Sequence, residues 1–186
     1  MAYARQALRC DRNDPFVLIY VAAVYLRIEG HLDEALTLID RAIAMNPYSH
    51  RFWVSKAQVH SRRGETKEAI EAAERAISIS PNEPAIWVAY WSIAEANMQE
   101  CRYNEAADYA RRAIHHNEHV APAYFILAAS LAHLGKDKEA REALTAALEI
   151  SPHMTVRKFP SNYNVSHFKN LDAYMEGLRK AGLPEQ

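Results

Sequence analysis

The sequence predicts an all-α solenoid made of four antiparallel helix pairs, and two observations support this fold class. The first is an internal repeat, because the pattern of residues 16–47 returns three more times along the 186-residue chain. The second is the content of each copy, in which two apolar stretches at helical spacing are separated by a turn and closed by a helix stop. Such units bury their apolar faces only against their neighbours, so four copies form an elongated stack with a continuous core.

Each residue type in the repeat has a physical role. In the first copy, small residues such as Ala23 and Ala35 let two helices approach closely, Gly30 separates the helices, and Pro47 ends the second one. Glycine can take the left-handed conformation that ends a helix, whereas proline cannot continue a helix. The counterparts are Ala57, Gly64, Ala69 and Pro81 in the second copy and Ala128, Gly135, Ala140 and Pro152 in the fourth.

The third copy is predicted to be locally irregular. It has three extra residues between Ala94 and Cys101, and Cys101 stands where the other copies have a turn glycine. Either the first helix gains most of a turn or the loop bulges, and the sequence does not choose between them. Trp91 also takes the place of the small residue found as Ala57 in the second copy. We therefore expect this tryptophan to push its neighbours apart or to point outward.

With these markers, the chain resembles a tetratricopeptide repeat (TPR) array. Bulky anchor residues, small residues, a turn glycine and a closing proline stand where that family has them. The resemblance implies a right-handed superhelix in which the first helix of each pair lines the concave surface. It also implies that the anchors Trp53, Trp87 and Tyr124 belong to the core and do not stack on a ligand.

The repeat pattern divides the chain into three parts. Residues 1–14 resemble the trailing helix of a truncated repeat, so we expect the chain to be a fragment of a longer protein. The alternative is a natural start at which a single helix serves as a cap. Residues 153–186 are expected to form a loop and a C-terminal capping helix. The four hairpins between these ends are expected at about residues 15–48, 49–82, 83–119 and 120–152.

The C-terminal capping helix is predicted from apolar residues that return at helical spacing between Phe168 and Leu178. Ser166 precedes them as a candidate N-cap, and Gly182 followed by Pro184 is a clear stop signal. The opposite face of this helix is polar, as the exposed end of a repeat array requires.

Composition argues against several classes of partner. Lysine and arginine total 22 and aspartate and glutamate total 23, so the formal net charge is −1 and the chain lacks the basic footprint of a nucleic-acid-binding protein. No apolar run approaches the roughly 20 residues of a membrane-spanning helix. The two cysteines, Cys10 and Cys101, are far apart and suit a reducing compartment better than a disulfide framework. A cytoplasmic location is therefore expected, with no nucleic-acid or membrane partner.

The run from His115 to His119 is the one cluster that suggests a metal site, because these two histidines are four residues apart and Glu118 is an oxygen donor. In the repeat alignment, however, Glu118 takes the place of the closing proline. The cluster then straddles a helix end and a turn, and we interpret it as a solvated helix end. The sequence contains no phosphate-binding glycine loop, nucleophile elbow or metalloprotease motif. No enzymatic activity, catalytic residue, metal or cofactor is therefore predicted.

The concave surface is the expected site of function. The resemblance implies that it is lined by fixed positions of each first helix, among them the fifth and the ninth. Relatives that bind chaperones hold a terminal carboxylate there with lysine, asparagine and arginine, but the fifth positions counted here are apolar, so such a clamp is not expected. An apolar groove edged by arginines suits an amphipathic helix or an extended peptide with acidic residues. The candidate partner-binding residues are Tyr20, Val24, Arg27, Arg51, Val54, Gln58, Arg62, Val88, Ser92, Glu95 and Phe125.

A second interpretation of the first helix stays open. Val17, Val21 and Val24 are also explained if they face a missing preceding repeat or the protein's own N-terminal domain, and their exposure would then promote self-association. The tail EGLRKAGLPEQ, with the loop before it, resembles the ends of bacterial proteins that join such repeats to class III adenylate or guanylate cyclases or to winged-helix transcriptional regulators. The alternative function is therefore a regulatory or dimerisation module of a larger bacterial signalling protein.

Overall fold

The computed structural model describes residues 2–11, 13–28, 31–163, 165 and 168–186. Within these ranges the regular structure is entirely helical. The helices are α1 (Ala2–Cys10), α2 (Pro15–Leu26), α3 (Leu32–Met45), α4 (His50–Arg62), α5 (Thr66–Ile79), α6 (Trp87–Gln99), α7 (Tyr103–His116), α8 (Ala121–His133), α9 (Asp137–Ile150), α10 (Phe159–Tyr163) and α11 (Leu171–Ala181).

Four helix pairs, α2–α3, α4–α5, α6–α7 and α8–α9, pack side by side, and each pair stacks on the one before it. The first helices of successive pairs run parallel. At one end of α2 and α4 the rings of Phe16 and Phe52 meet edge to face with centroids 5.5 Å apart, and at the other end Arg62 Nη1 donates to the Leu26 carbonyl at 2.9 Å. The predicted solenoid of antiparallel pairs is confirmed.

The turn inside a pair has the same geometry in repeats two, three and four. Gly64, Cys101 and Gly135 all have positive φ values, of 69°, 56° and 72°. After each of them, a backbone N–H reaches back to a carbonyl five residues earlier, which closes the helix end. These bonds join Glu65 to His60 at 2.9 Å, Arg102 to Asn97 at 3.0 Å and Lys136 to Leu131 at 2.9 Å. Gly30, the predicted turn glycine of the first copy, lies outside the described residues.

The three extra residues of repeat three lie at the start of its first helix, where residues 84–86 form a 3₁₀ turn before α6. The helix α6 itself has 13 residues, as α4 and α8 do. The extra residues therefore form a turn before the helix, and they do not lie between Ala94 and Cys101 as the sequence pattern predicted. As a result, the residues of α6 correspond to those of α4 and α8 when each helix is counted backwards from its turn residue, Gly64, Cys101 or Gly135. The small position is then Ala94, which is fully buried, and the prediction that Trp91 occupies it is wrong. The anchor position likewise belongs to Tyr90 and not to Trp87.

The C-terminal helix begins later than predicted, at Leu171, with Asn170 at its N-cap position. Phe168 lies before the helix and is buried, while Ser166 is outside the described residues. The predicted stop is present, because Gly182 takes a φ of 106° and its N–H bonds back to the last turn of α11. The charged residues on the outer face of α11 are exposed, as expected.

The path of α11 could not be read from its sequence. It runs antiparallel to α8, since His133 Nε2, near the end of α8, donates to the Ala173 carbonyl at 2.7 Å, and Gly177 lies against Ala129 one turn earlier on α8. The first helices of the array run parallel to one another, so α11 does not continue their series. It also touches α6, and Asn170 Nδ2 donates to the Gln99 carbonyl at 2.7 Å. The helix therefore lies along the inner face formed by α6 and α8.

The segment that follows α9 is built into the core of repeat four. Phe159 and Tyr174 are buried, and their rings meet edge to face with centroids 5.3 Å apart. Phe159 also packs on Phe125 of α8 at 5.1 Å, and Leu178 is fully buried. Each large apolar side chain buried in this way contributes about 1.5–3 kcal/mol. The described residues between 154 and 183 are thus a fixed part of the fold, and we call them the C-terminal segment.

Candidate partner-binding groove

The part of the inner face that the C-terminal segment leaves open is a groove of about 550 Å³. Two of its sides are the first helices of repeats one and two. Ala23 and Leu26 of α2 line the groove together with Arg27, which directly follows α2, and Gln58 and Arg62 line it from α4. The stacking of parallel first helices places these side chains along one continuous surface.

The other two sides of the groove are α6 and α10. Trp87, Val88 and Trp91 line it from α6, and the two tryptophan rings are 6.5 Å apart between centroids. The short helix α10 contributes Tyr163 together with Ser161 and Asn162. The groove is therefore aromatic on the side of repeat three and cationic on the side of repeats one and two.

Most of the predicted site residues are accessible. Arg27 and Arg51 are exposed, as are Tyr20 at 62% and Val24 at 39% of their maximal surface. Four further candidates, Val54, Gln58, Arg62 and Val88, are half-buried. Of these eight, those that line the groove itself are Arg27, Gln58, Arg62 and Val88.

Three predicted site residues are buried, and their assignment to an open surface is wrong. Ser92 turns into the helix, where its hydroxyl donates to the Val88 carbonyl at 2.9 Å. Glu95 is covered between α4 and the C-terminal segment. Phe125 is 0% exposed, because α10 covers it. For Glu95 and Phe125, tertiary contacts close a position that the repeat pattern alone leaves open.

Two parts of the groove escaped the sequence analysis. One is the pair Trp87 and Trp91: Trp87, predicted to be a core anchor, is half-buried and lines the groove. Counting the third repeat backwards from Cys101 would have placed Trp91 at the same position as Tyr20 and Phe125. The other is α10, whose sequence FPSNY carries no helical periodicity. No signal in the sequence indicates that this stretch returns to the inner face.

The electrostatic character of the groove comes from two guanidinium groups. Among the described residues that line it there are two arginines, Arg27 and Arg62, and no carboxylate. Arg62 is held in place by its bond to the Leu26 carbonyl, which occupies one of its five N–H donors. A planar guanidinium pairs well with a carboxylate, through two parallel hydrogen bonds. The groove is thus suited to a ligand with negative charge.

A buried polar seam lies behind the groove. Ser61 Oγ donates to Glu95 Oε2 at 2.6 Å, and Gln99 Nε2 donates to the Ser61 carbonyl at 2.8 Å. Burial raises the pKa of the Glu95 carboxyl, more than the Ser61 hydrogen bond and the nearby charge of Arg62 lower it. A carboxylate in this place costs free energy when it is ionised.

We expect Glu95→Gln to stabilise the protein at pH 8 by about 1 kcal/mol, which corresponds to a melting temperature about 2–4 °C higher. The pKa of Glu95 is higher in the folded chain than in the unfolded chain. The stability contributed by its protonated carboxyl is therefore fully present below the unfolded pKa of about 4.3, and it is lost as the pH rises through the folded pKa. Thermal melts at pH 5 and pH 8 measure the difference, with the exposed Glu149→Gln as control. A variant that melts below the wild type at pH 8 would contradict this assignment.

The histidine run at the end of α7 is divided between a helix and a turn. His115 and His116 are the last residues of α7, and His119 follows in the turn before α8. His116 stacks on Tyr90 with ring centroids 5.2 Å apart. In the part of the chain that the structure describes, no three histidine, cysteine, aspartate or glutamate residues come close enough to hold a metal ion. Within the same ranges, no helix has the length and apolar character to cross a membrane.

Comparison with solved structures shows the fold. The chain is similar to YrrB, described as a TPR protein with an unusual peptide-binding site, at 22% identity over 96% of this chain and 90% of YrrB, with a TM-score of 0.60. It is also similar to the TPR protein TTC0263 of Thermus thermophilus, at 22% identity over 90% and 89% of the two chains and a TM-score of 0.65. A third similar structure is pilF of Pseudomonas aeruginosa, at 15% identity over 94% and 78% and a TM-score of 0.72.

A search of curated proteins found no significant match. The family model for the tetratricopeptide repeat, in contrast, matches residues 20–84 and 92–155. Proteins of this family generally act as non-enzymatic scaffolds for protein interactions, which agrees with the expectation that this chain is not an enzyme. Because the match covers well over half of the sequence, the chain belongs to the tetratricopeptide repeat family.

Proposed function

We propose that this chain binds a short acidic segment of a partner protein in the groove between α2, α4, α6 and α10. The observation that carries the proposal is the lining itself, which combines half-buried aromatic rings with two arginines and, among its described residues, no carboxylate. Aromatic and apolar surface supplies burial, and the arginines orient the ligand through charge-assisted hydrogen bonds.

The size of the groove limits the bound segment. Packed helices lie about 8–10 Å apart, so a groove that crosses three first helices is roughly 20 Å long. An extended chain rises about 3.3 Å per residue, so roughly six residues fill it. The likeness to YrrB, whose description mentions a peptide-binding site, supports a peptide ligand for this chain too.

One observation favours a second candidate function, the docking of another domain or another copy onto α2. Phe16 and Tyr20 are 46% and 62% exposed, and with Val24 they form an apolar stripe along this helix. Of the three valines considered for such a contact, Val21 is buried in the core of repeat one and only Val24 is exposed. A link to a nucleotide cyclase or a winged-helix regulator stays a prediction, as does the cytoplasmic location.

The peptide proposal is tested with a phage library of random twelve-residue peptides selected on the full chain. We expect the selected peptides to carry aspartate or glutamate beside an aromatic residue. Arg27→Glu should weaken binding of a selected, fluorescently labelled peptide by about tenfold or more, because it replaces an attractive charge contact by a repulsive one.

The matched control is Arg75→Glu, which makes the same charge change at an exposed site on α5. Both variants should keep the wild-type melting temperature, since neither side chain is buried. Selection of peptides without acidic residues, or equal binding by the Arg27 variant, would refute the proposed role of the groove.

A further inference from the structure

The groove has one aromatic end, to which α6 contributes Trp87 and Trp91 and the chain's own C-terminal segment contributes Tyr163. Tyr163 of α10 packs on the buried Phe125 with ring centroids 5.6 Å apart and on Phe159 at 4.8 Å. It is only half-buried, so part of its ring faces the groove opposite Trp87 and Trp91. Three half-buried aromatic rings thus surround one end of the open volume.

This end wall is permanent and not a removable lid. Phe159 is 1% exposed and lies in the same apolar core as Phe125, Tyr174 and Leu178. Polar contacts add to the attachment, since Asn170 Nδ2 donates to the Gln99 carbonyl at 2.7 Å and Lys169 Nζ donates to Glu100 Oε1 at 3.2 Å. A peptide ligand would have to replace all of these contacts to displace the segment, so it binds against α10 and not beneath it.

We propose that α10 forms the end wall of the groove and that Trp87, Trp91 and Tyr163 together accept one aromatic side chain of a bound peptide. Aromatic rings prefer edge-to-face or offset neighbours about 4.5–7 Å away. The two tryptophan rings already pack on each other with centroids 6.5 Å apart, so a ligand ring would bind beside this pair and not between its members. Arg27 and Arg62 line the same volume from repeats one and two, whereas the tryptophans line it from repeat three. The acidic group of the ligand therefore points toward repeats one and two. This inference refines the proposed function and rests on it.

The acceptor can be tested without a partner, by titrating the full chain with N-acetyl-L-tryptophanamide and following the indole N–H signals by two-dimensional NMR. The chain has three tryptophans. We expect the signals of Trp87 and Trp91 to shift. Trp53 is an internal control, because its Nε1 donates to the Pro47 carbonyl at 2.8 Å and its ring does not line the groove. N-acetyl-L-leucinamide is the matched aliphatic probe and should bind several-fold more weakly.

Two variants locate the binding. Ser161→Trp places a large side chain in the open volume from an exposed position of α10, and Tyr163→Leu removes one aromatic ring. Each should weaken binding of the tryptophan probe by about fivefold or more, whereas Tyr48→Leu, at an exposed tyrosine outside the groove, should not. Ser161→Trp keeps the inference testable if Tyr163→Leu lowers stability.

Equal shifts at Trp53, equal binding of the leucine probe, or unchanged binding by Ser161→Trp would each overturn the aromatic acceptor. That result would leave the proposed peptide binding intact, since acidic peptides could still bind through Arg27. Conversely, specific binding of the tryptophan probe in a chain that selects no peptide would support the acceptor and reject the proposed function.

Discussion

Phe159→Ala is expected to detach the C-terminal segment from the inner face and to lower the free energy of unfolding by about 3–5 kcal/mol. The side chain is 1% exposed, and its ring contacts those of Phe125, Tyr163 and Tyr174 at centroid distances of 5.1, 4.8 and 5.3 Å. Removing it leaves a cavity at the centre of this aromatic cluster. Urea unfolding measures the loss, and amide exchange should speed up in α11 before it does in α4.

The control for this variant is Phe16→Ala, because Phe16 is 46% exposed and its loss leaves no closed cavity. A loss of less than about 1 kcal/mol for Phe159→Ala would mean that the C-terminal segment is not anchored through this ring. It would also remove the physical basis for a permanent end wall of the groove.

Gly177→Ala is expected to destabilise the protein by about 1–3 kcal/mol, although alanine ordinarily stabilises a helix by about 0.5–1 kcal/mol relative to glycine. A Cβ at this position would lie 2.7 Å from the backbone oxygen of Ala129 and 2.9 Å from His133 Cδ2. Because the nearest atom belongs to the backbone of α8, α11 itself must move. Urea unfolding of the wild type and of Gly177→Ala measures whether the variant is destabilised, against the usual effect of alanine in a helix.

Lys180→Ala, at an exposed site on the same helix, is the matched control and should change stability by no more than about 0.5 kcal/mol. If Gly177→Ala were stabilising, α11 could not pack as closely on Ala129 as the structure has it. Phe159→Ala and Gly177→Ala therefore test the packing of the C-terminal segment on α8 at two different contacts, the first by a cavity and the second by a clash.

The helical framework could be predicted because its signals are local. Gly64 and Gly135 end the first helices of their pairs, and the prolines after the second helices mark the ends of the repeats. The one error of register, at Trp91, arose because the third repeat was aligned from its start, where the extra 3₁₀ turn lies. The turn at Cys101 has the same left-handed backbone as the two glycines and would have been the better reference.

The candidate site could be predicted only in part. Arg27, Gln58, Arg62 and Val88 line the groove as the repeat positions imply. Phe125 occupies the same repeat position as Tyr20, yet one is fully buried and the other is 62% exposed. Repeat position determines which way a side chain points, but it does not determine whether another part of the chain covers that side chain.

By itself, the sequence determined the repeat, the antiparallel pairing of its helices and the side chains that point to the inner face, because these follow from periodicity and from residues that end helices. Only the tertiary structure decided which part of that face stays open. The C-terminal segment turns back along α8, in the direction opposite to the first helices, because Gly177 permits close contact with Ala129 and Phe159 finds a buried place beside Phe125. Contacts of this kind join residues far apart in the chain and leave no periodic trace in the sequence.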